Sequence, residues 1–81
     1  MQVTVRVNGA LLAALGRPRL FLELPPEATV ADMQRQLQQN FPDQVDYFKS
    51  AVAVAAGQHL PPESRLAAGQ EIALLLPVAG G

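Results

Sequence analysis

The predicted strand EIALLL, residues 71–76, with its apolar run IALLL, constrains the fold of this chain more than any other stretch. Alternate residues of a strand point to opposite faces of a sheet. One face of this strand would carry Ile72, Leu74 and Leu76, and the other would carry Ala73 and Leu75. A strand that is apolar on both sides favours a central place in a sheet with both faces covered. Pro77, which lacks an amide N–H, would end the strand.

Two segments near the start of the chain show the same alternation. Val3, Val5 and Val7 alternate with polar residues, which is typical of a half-buried strand. The stretch RLFLEL, residues 19–24, would place its leucines on one face and Phe21 and Glu23 on the other. Between these strands, ALLAALG predicts a short helix that stops at a glycine. Further along, AVAVAA, residues 51–56, predicts a short buried strand, and another short strand is expected near His59.

The main helix is predicted to begin after Thr29. This threonine is a good N-cap, and Asp32 lies three residues on, near the positive end of the helix dipole. Apolar residues then recur at spacings of three and four, which forms one core-facing stripe. The stripe consists of Val30, Met33, Leu37 and Phe41. Pro42 ends the helix, and DQVDYFKS after it is interpreted as irregular or as a single helical turn.

This order of elements favours the α+β class. Two antiparallel strands, a helix across one sheet face, a third strand and a central last strand form a β-grasp roll with a mixed sheet. The last strand would lie beside the first. We therefore expect one domain over residues 1–76 and a C-terminal tail over residues 77–81.

The composition limits the classes of function. The 81 residues, 49% of them apolar, fit one folded domain. The absence of cysteine excludes disulfides, thiolate metal sites and thiol catalysis. A formal charge of −1 offers no basic field for nucleic acid, and no signal peptide or membrane span is evident. We expect a cytoplasmic protein without nucleic-acid or membrane partners.

No group of side chains in the sequence predicts a self-contained active site. His59 is the only histidine and has no second ligand at metal-binding spacing, so we expect an exposed side chain and no metal site. Ser50 and Ser64 lack an evident base partner, and Asp43 and Asp46 are interpreted as surface carboxylates. Catalysis involving this chain would depend on groups that another protein supplies.

The ending PVAGG, residues 77–81, has the features of a reactive arm. Pro77 directs the chain out of the sheet, and Gly80 and Gly81 lack Cβ atoms, so the end is thin enough to enter a narrow channel. The terminal carboxylate could attack the α-phosphate of ATP, and a sulfur donor could then displace AMP to leave a thiocarboxylate. The ATP site would belong to a partner, because the chain has no phosphate-binding loop. A frayed end or a cloning remnant is the alternative.

Three stretches carry a resemblance to a known family. They are VTVRVNGALLAALG, ATVADMQRQL and LAAGQEIALLLPVAGG. Together they resemble the small subunits of molybdopterin synthase, in the ubiquitin-like sulfur-carrier family that also includes the thiamine-pathway carrier. The short helix before Gly16 and the PVAGG ending favour the molybdopterin branch. The chain departs from the family pattern at Asn8, where an aromatic residue is common, and in its third strand, where an asparagine often follows AV.

The resemblance implies a sulfur donor with no activity of its own and no stably bound cofactor. An adenylating enzyme related to ubiquitin-activating enzymes would consume ATP to activate Gly81, which would then carry sulfur as a thiocarboxylate. Gly80 would keep the tail slender. The tail would enter the large synthase subunit, in a complex of two small and two large subunits. There it would donate sulfur to precursor Z (cyclic pyranopterin monophosphate) in molybdenum cofactor biosynthesis.

Other functions stay open on the sequence. The chain could carry sulfur for thiamine, cysteine or tRNA thiolation. It could also be a ubiquitin-like modifier that becomes joined to lysines of other proteins. A plain interaction domain with an incidental tail is a further alternative.

The sheet face opposite the main helix is the predicted docking surface. Strand alternation places Phe21 and Leu75 on this face, where we expect them to lie near one another and contact both partners. Pro77, Val78 and Ala79 would add contacts along the tail. The tail alone is too small for a specific complex, since stable interfaces bury about 1,600 Å² in total. The alternative is that Phe21 and Leu75 belong to the core.

Overall fold

The computed structural model describes residues 1–77, and its elements follow the predicted order. The elements are β1 (Gln2–Val7), α1 (Gly9–Leu15), β2 (Arg19–Glu23), α2 (Val30–Asn40), a 3-10 turn (Pro42–Gln44), α3 (Val45–Ser50), β3 (Val52–Ala55), β4 (Gln58–Leu60) and β5 (Glu71–Leu75). The stretch interpreted as irregular or a single turn forms the 3-10 turn and α3. No helix within residues 1–77 has the length and apolar character needed to cross a membrane.

The strands form one mixed sheet in the order β2-β1-β5-β3-β4. Strand β1 pairs with β5 in parallel, and the other three neighbouring pairs are antiparallel. The last strand therefore lies in the middle of the sheet beside the first, as the apolar run predicts. With the main helix packed on one face, the architecture is the expected α+β β-grasp roll.

The core lies on one face of the sheet, between the strands and the helices. The strands contribute alternate residues, which are Val3, Val5, Val7, Leu20, Leu22, Ala53, Ile72 and Leu74. The helices contribute Leu11, Val30, Met33, Leu37 and Phe48. The expectation that both faces of β5 are covered is wrong, because the helices all contribute to the core on the same side. On the other face Ala73 is half-buried and Leu75 is exposed.

A capping box starts α2, as the sequence indicates. The Oγ1 atom of Thr29 accepts a hydrogen bond from the Asp32 amide at 3.2 Å, and the Asp32 carboxylate accepts one from the Thr29 amide at 2.9 Å. Both bonds satisfy amides that a helix start leaves unpaired. The hydrogen bond from the Thr29 amide is the main reason why the pKa of the Asp32 carboxyl is below its usual value. The hydrogen bond with the Thr29 side chain is the second reason.

Helix α3 supplies a core residue that periodicity does not predict. Phe48 is fully buried, and its ring centroid lies 6.0 Å from that of Phe41 at the end of α2. The Gln34 side chain donates a hydrogen bond to the carbonyl of Ala51 at 2.9 Å, which ties α2 to the end of α3. These contacts fix α3 over the end of the sheet from which the tail leaves.

The turn between β3 and β4 contains a strained alanine. Ala55 pairs with Gln58, so Ala56 and Gly57 form a two-residue hairpin loop. Their φ angles are 51° and 77°. Positive φ at both central positions is the signature of a type I′ turn, which favours Asn-Gly because asparagine tolerates the left-handed region better than alanine.

The substitution Ala56→Asn is expected to stabilise the protein by about 0.5–1 kcal/mol, because it relieves part of the left-handed strain. Urea unfolding measures the change, and Ala68→Asn in an exposed loop without positive φ is the matched control. Equal stability of Ala56→Asn and the unsubstituted chain would contradict strain at this turn.

Candidate functional site

The base of the predicted tail lies where β5 leaves the sheet. Leu75 is the last residue of the strand, Leu76 is half-buried against the core, and Pro77 is exposed. Proline has no amide N–H for a neighbouring strand, which explains why pairing stops before it. The predicted roles of Val78, Ala79, Gly80 and Gly81 fall outside the residues that the structure describes.

Strand β5 is held on both sides. Leu74 pairs with Val7 of β1, and Leu75 pairs with Val52 of β3. A central strand moves only if its hydrogen bonds break on both sides, so the point at which the chain leaves the sheet has a fixed position. An arm attached here starts from a rigid base.

A groove of about 400 Å³ opens beside this base. Its walls are residues 8–10 at the start of α1, Tyr47 and Ser50 of α3, and the pair Leu76 and Pro77. The groove therefore lies on the helix side of the tail, whereas the open sheet face lies on the other side. A partner that receives the tail would have both surfaces within reach.

The open face of the sheet carries two large exposed apolar side chains. Phe21 of β2 is 65% exposed and Leu75 of β5 is 40% exposed. Val52 and Val54 of β3 are half-buried on the same face. The alternative that Phe21 and Leu75 belong to the core does not hold, because both side chains are exposed.

Phe21 and Leu75 do not lie side by side, so that expectation is wrong. Phe21 pairs with Thr4 of β1, and Thr4 pairs with Glu71 of β5. Leu75 lies four residues further along β5. With about 4.8 Å between strands and about 3.3 Å per residue, the two positions are about 16 Å apart. Alternation predicts the face of a side chain, but the separation depends on the register between strands.

The carboxylates of the open face are engaged in ion pairs. Glu71 accepts a hydrogen bond from the Arg6 guanidinium at 3.4 Å. Glu23 lies 3.1 Å from the ammonium group of Met1, which also donates to the carbonyl of Leu24. Exposed pairs of this kind contribute at most about 1 kcal/mol each, so they shape the charge of the face more than they stabilise it.

The side chains that could support catalysis are dispersed. His59 is exposed on the edge strand β4, as expected, and Ser64 lies in a loop where its carbonyl accepts a bond from the Val30 amide. The Ser50 hydroxyl donates to the Asp46 carbonyl at 3.1 Å and so faces no base. Within residues 1–77, no three His, Asp or Glu side chains are placed to hold a metal ion.

Sequence reasoning missed the groove beside the tail. Tyr47 and Asn8 both line it, but they belong to segments 39 positions apart that meet only after α3 packs over the sheet edge. The sequence marks these positions only as a departure from the family pattern at Asn8 and as the single tyrosine of the chain at Tyr47, and neither feature predicts a groove.

The fold is that of a ubiquitin-like protein, in which β5 is the central strand of a β-grasp sheet. The sequence profile of the ThiS family matches residues 5–81, and the chain belongs to the ThiS family. Members of this class are ubiquitin-like sulfur carriers. No curated protein matches the chain significantly.

Solved structures confirm the fold. Small archaeal modifier protein 1 (SAMP1) of Haloferax volcanii superposes with a TM-score of 0.84 at 21% identity, and the match covers 100% of both chains. A Pyrococcus furiosus protein assigned as molybdopterin converting factor, subunit 1, superposes with a TM-score of 0.83 at 17% identity. That match covers 96% of this chain and 99% of the other. At these identities the likeness concerns the fold alone.

Proposed function

We propose that this chain is the sulfur-carrying small subunit of a molybdopterin synthase, with the sulfur held as a thiocarboxylate on Gly81. The observation that carries the proposal is the family match, which extends through residue 81 and so includes the Gly-Gly ending. The short helix before Gly16 and the PVAGG ending favour the molybdopterin branch, and a protein assigned as molybdopterin converting factor, subunit 1, shares the fold.

The chemistry proceeds in two displacements at the end of the tail. A carboxylate oxygen of Gly81 attacks the α-phosphorus of ATP, and pyrophosphate leaves. Hydrosulfide, or a donor equivalent to it, then attacks the carbonyl carbon, and AMP leaves with its electron pair. The product is a thiocarboxylate in which one sulfur replaces one oxygen. Adenylation gives the carbonyl carbon of Gly81 a good leaving group, AMP, which a free carboxylate lacks.

The partners supply the catalytic groups for these steps. An adenylating enzyme provides the ATP site, and the large synthase subunit provides the site where sulfur reaches precursor Z. The chain contributes a rigid base for the tail and a docking face.

The docking face alone is smaller than a typical interface. Five strands about 4.8 Å apart and about five residues long present a sheet face of roughly 400 Å². One partner of a stable complex contributes about 800 Å², so the tail and its surroundings must supply the rest.

Intact mass spectrometry tests the proposal directly. The chain ending at Gly81 is incubated with the adenylating enzyme of its own organism, ATP and hydrosulfide, and the replacement of one oxygen by sulfur is the expected result. The loaded chain is then mixed with the large subunit and precursor Z, and formation of the dithiolene is followed. An unchanged mass would contradict the carrier role.

The same experiment separates the pathways. If the chain is loaded with sulfur but precursor Z is not converted, the sulfur is destined for another pathway, such as thiamine, cysteine or tRNA thiolation. An isopeptide bond between Gly81 and a lysine of another protein would indicate a modifier. Chemical assays of the loaded chain with each acceptor identify which of these outcomes occurs.

The substitution Leu75→Asp is expected to weaken binding of both partners at least tenfold, because an apolar contact worth about 1.5–3 kcal/mol is replaced by a charge that must be desolvated. The domain should still fold, since Leu75 is exposed. Calorimetry measures affinity, and thermal unfolding measures stability. Leu12→Asp, at an exposed leucine of α1, is the matched control that should leave affinity unchanged. If Leu75→Asp unfolds, Leu75 is a core residue and the docking face lies elsewhere.

A further inference from the structure

Two arginines lie directly opposite one another on the open sheet face. Arg6 of β1 and Arg19 of β2 are paired in the antiparallel register, and both are exposed. Like charges opposite one another across strands destabilise a sheet. The remaining four residues of β2 all face neutral partners on β1, so this pair is a local conflict within an otherwise ordinary ladder.

Among residues 1–77, only one of the two arginines is neutralised by an ion pair. Arg6 bonds to Glu71 at 3.4 Å, and Glu23, the other carboxylate of the face, pairs with the Met1 ammonium. Arg19 has no ion-pair partner among residues 1–77. A net positive spot thus persists on a chain whose formal charge is −1.

The arginine pair lies near the end of the sheet from which the tail leaves. Strands β1 and β5 are parallel, so both finish at this end of the sheet, and β2 begins there. A groove of about 180 Å³ beside the pair is lined by both arginines, Pro18 and Ala73. Arg17, two residues before Arg19, is exposed in the loop that leads into β2. The positive spot therefore lies between the two apolar ends of the docking face.

We propose that Arg6 and Arg19 form an anion-recognition pair that docks carboxylates on the surface of the protein that receives the tail. This inference rests on the proposed function, since the partner is the adenylating enzyme that activates the tail. A planar guanidinium pairs with a carboxylate through two parallel hydrogen bonds and so fixes orientation. A partner that places an acidic side chain over the groove relieves the repulsion between the arginines and aligns the sheet edge with its channel.

Charge placed here also affects how fast the partners meet. Opposite charges steer encounter and raise association rate constants, and salt screens the effect. The apolar side chains Phe21 and Leu75 provide contact area on either side, and the arginine pair selects the partner and its register. Carboxylates on a protein suit the site better than a nucleotide, because a groove of about 180 Å³ is smaller than the pockets that hold such ligands.

The substitution Arg19→Glu tests the inference because it predicts opposite changes in stability and binding. Stability should rise, with a melting temperature about 2–5 °C higher, since Arg6 gains an opposite charge across the strands. Association with the adenylating enzyme that loads the unsubstituted chain should slow at least tenfold at low salt, with a weaker dependence on salt. Arg19→Gln should show smaller changes of the same sign.

Arg65→Glu is the matched control. It changes the charge by the same amount on an exposed loop near the start of α2, and association should remain as fast as in the unsubstituted chain. Stopped-flow measurements over a range of salt concentrations give the rates, and intact mass gives sulfur loading.

The outcomes separate the two proposals. If the unsubstituted chain is never loaded, the proposed function fails and this inference fails with it. If it is loaded, but Arg19→Glu associates as fast as the unsubstituted chain, the arginine pair is not a docking element and the carrier role stands. Saturable binding of ATP or inorganic phosphate to the isolated chain, lost in Arg19→Glu, would assign the pair to a phosphate ligand and overturn the protein partner.

Discussion

Deletion of Gly81 is expected to abolish sulfur loading and to leave the free energy of unfolding unchanged. The carboxylate of the shortened chain would belong to Gly80, about 3.5 Å short of its former position. A displacement of about 1 Å at a reacting group can cost 10²-fold in rate, so loading should fall below detection. The core contacts found in the described residues end at Leu76, which is why stability should not change.

Two further chains make this result specific. A chain extended by one alanine should also fail to load, because its carboxylate is moved outward and a side chain enters the channel. Gly80→Val keeps the length but widens the arm, and it should load slowly while melting normally. Normal loading of the shortened chain would place the reacting group elsewhere and contradict the carrier role.

Phe48→Ala is expected to remove about 3–5 kcal/mol of stability, because the ring is fully buried and its loss leaves a cavity. A chain of 81 residues has about 4–12 kcal/mol in total, so the variant should be largely or partly unfolded at 37 °C. Chemical denaturation with a fluorescence or circular-dichroism probe measures the loss.

Phe21→Ala is the matched control for this experiment. The same atoms are removed from a side chain that is 65% exposed, and the loss should stay within about 0.5 kcal/mol. Similar losses in the two variants would mean that Phe21 packs into the core, and the open face would have to be reassigned. Phe48→Leu, which keeps most of the volume, should lie between them.

Local signals in the sequence predict most of the elements. Alternation places Val3, Val5 and Val7 inside, and the pair Thr29 and Asp32 marks the start of α2, because both signals depend only on neighbouring residues. The central position of β5 follows from its apolar composition. These features need no knowledge of which distant segments meet.

The features that depend on distant segments could not be predicted in the same way. Helix α3 is too short to show a periodic stripe, so the burial of Phe48 follows only from its packing against α2. The apolar run of β5 does not distinguish a strand buried on both faces from one that keeps Leu75 for a partner. The pairing of Arg6 with Arg19 appears only once the register of β1 and β2 is fixed.

The position of β5 has a mechanical consequence. A pull applied at Pro77 acts along the strand, and the ladders to β1 and β3 lie on either side of that line. The hydrogen bonds of both ladders are therefore loaded together in shear, whereas an edge strand pulled sideways would lose them one at a time. A partner that grips the tail can pull on it without unravelling the domain behind it.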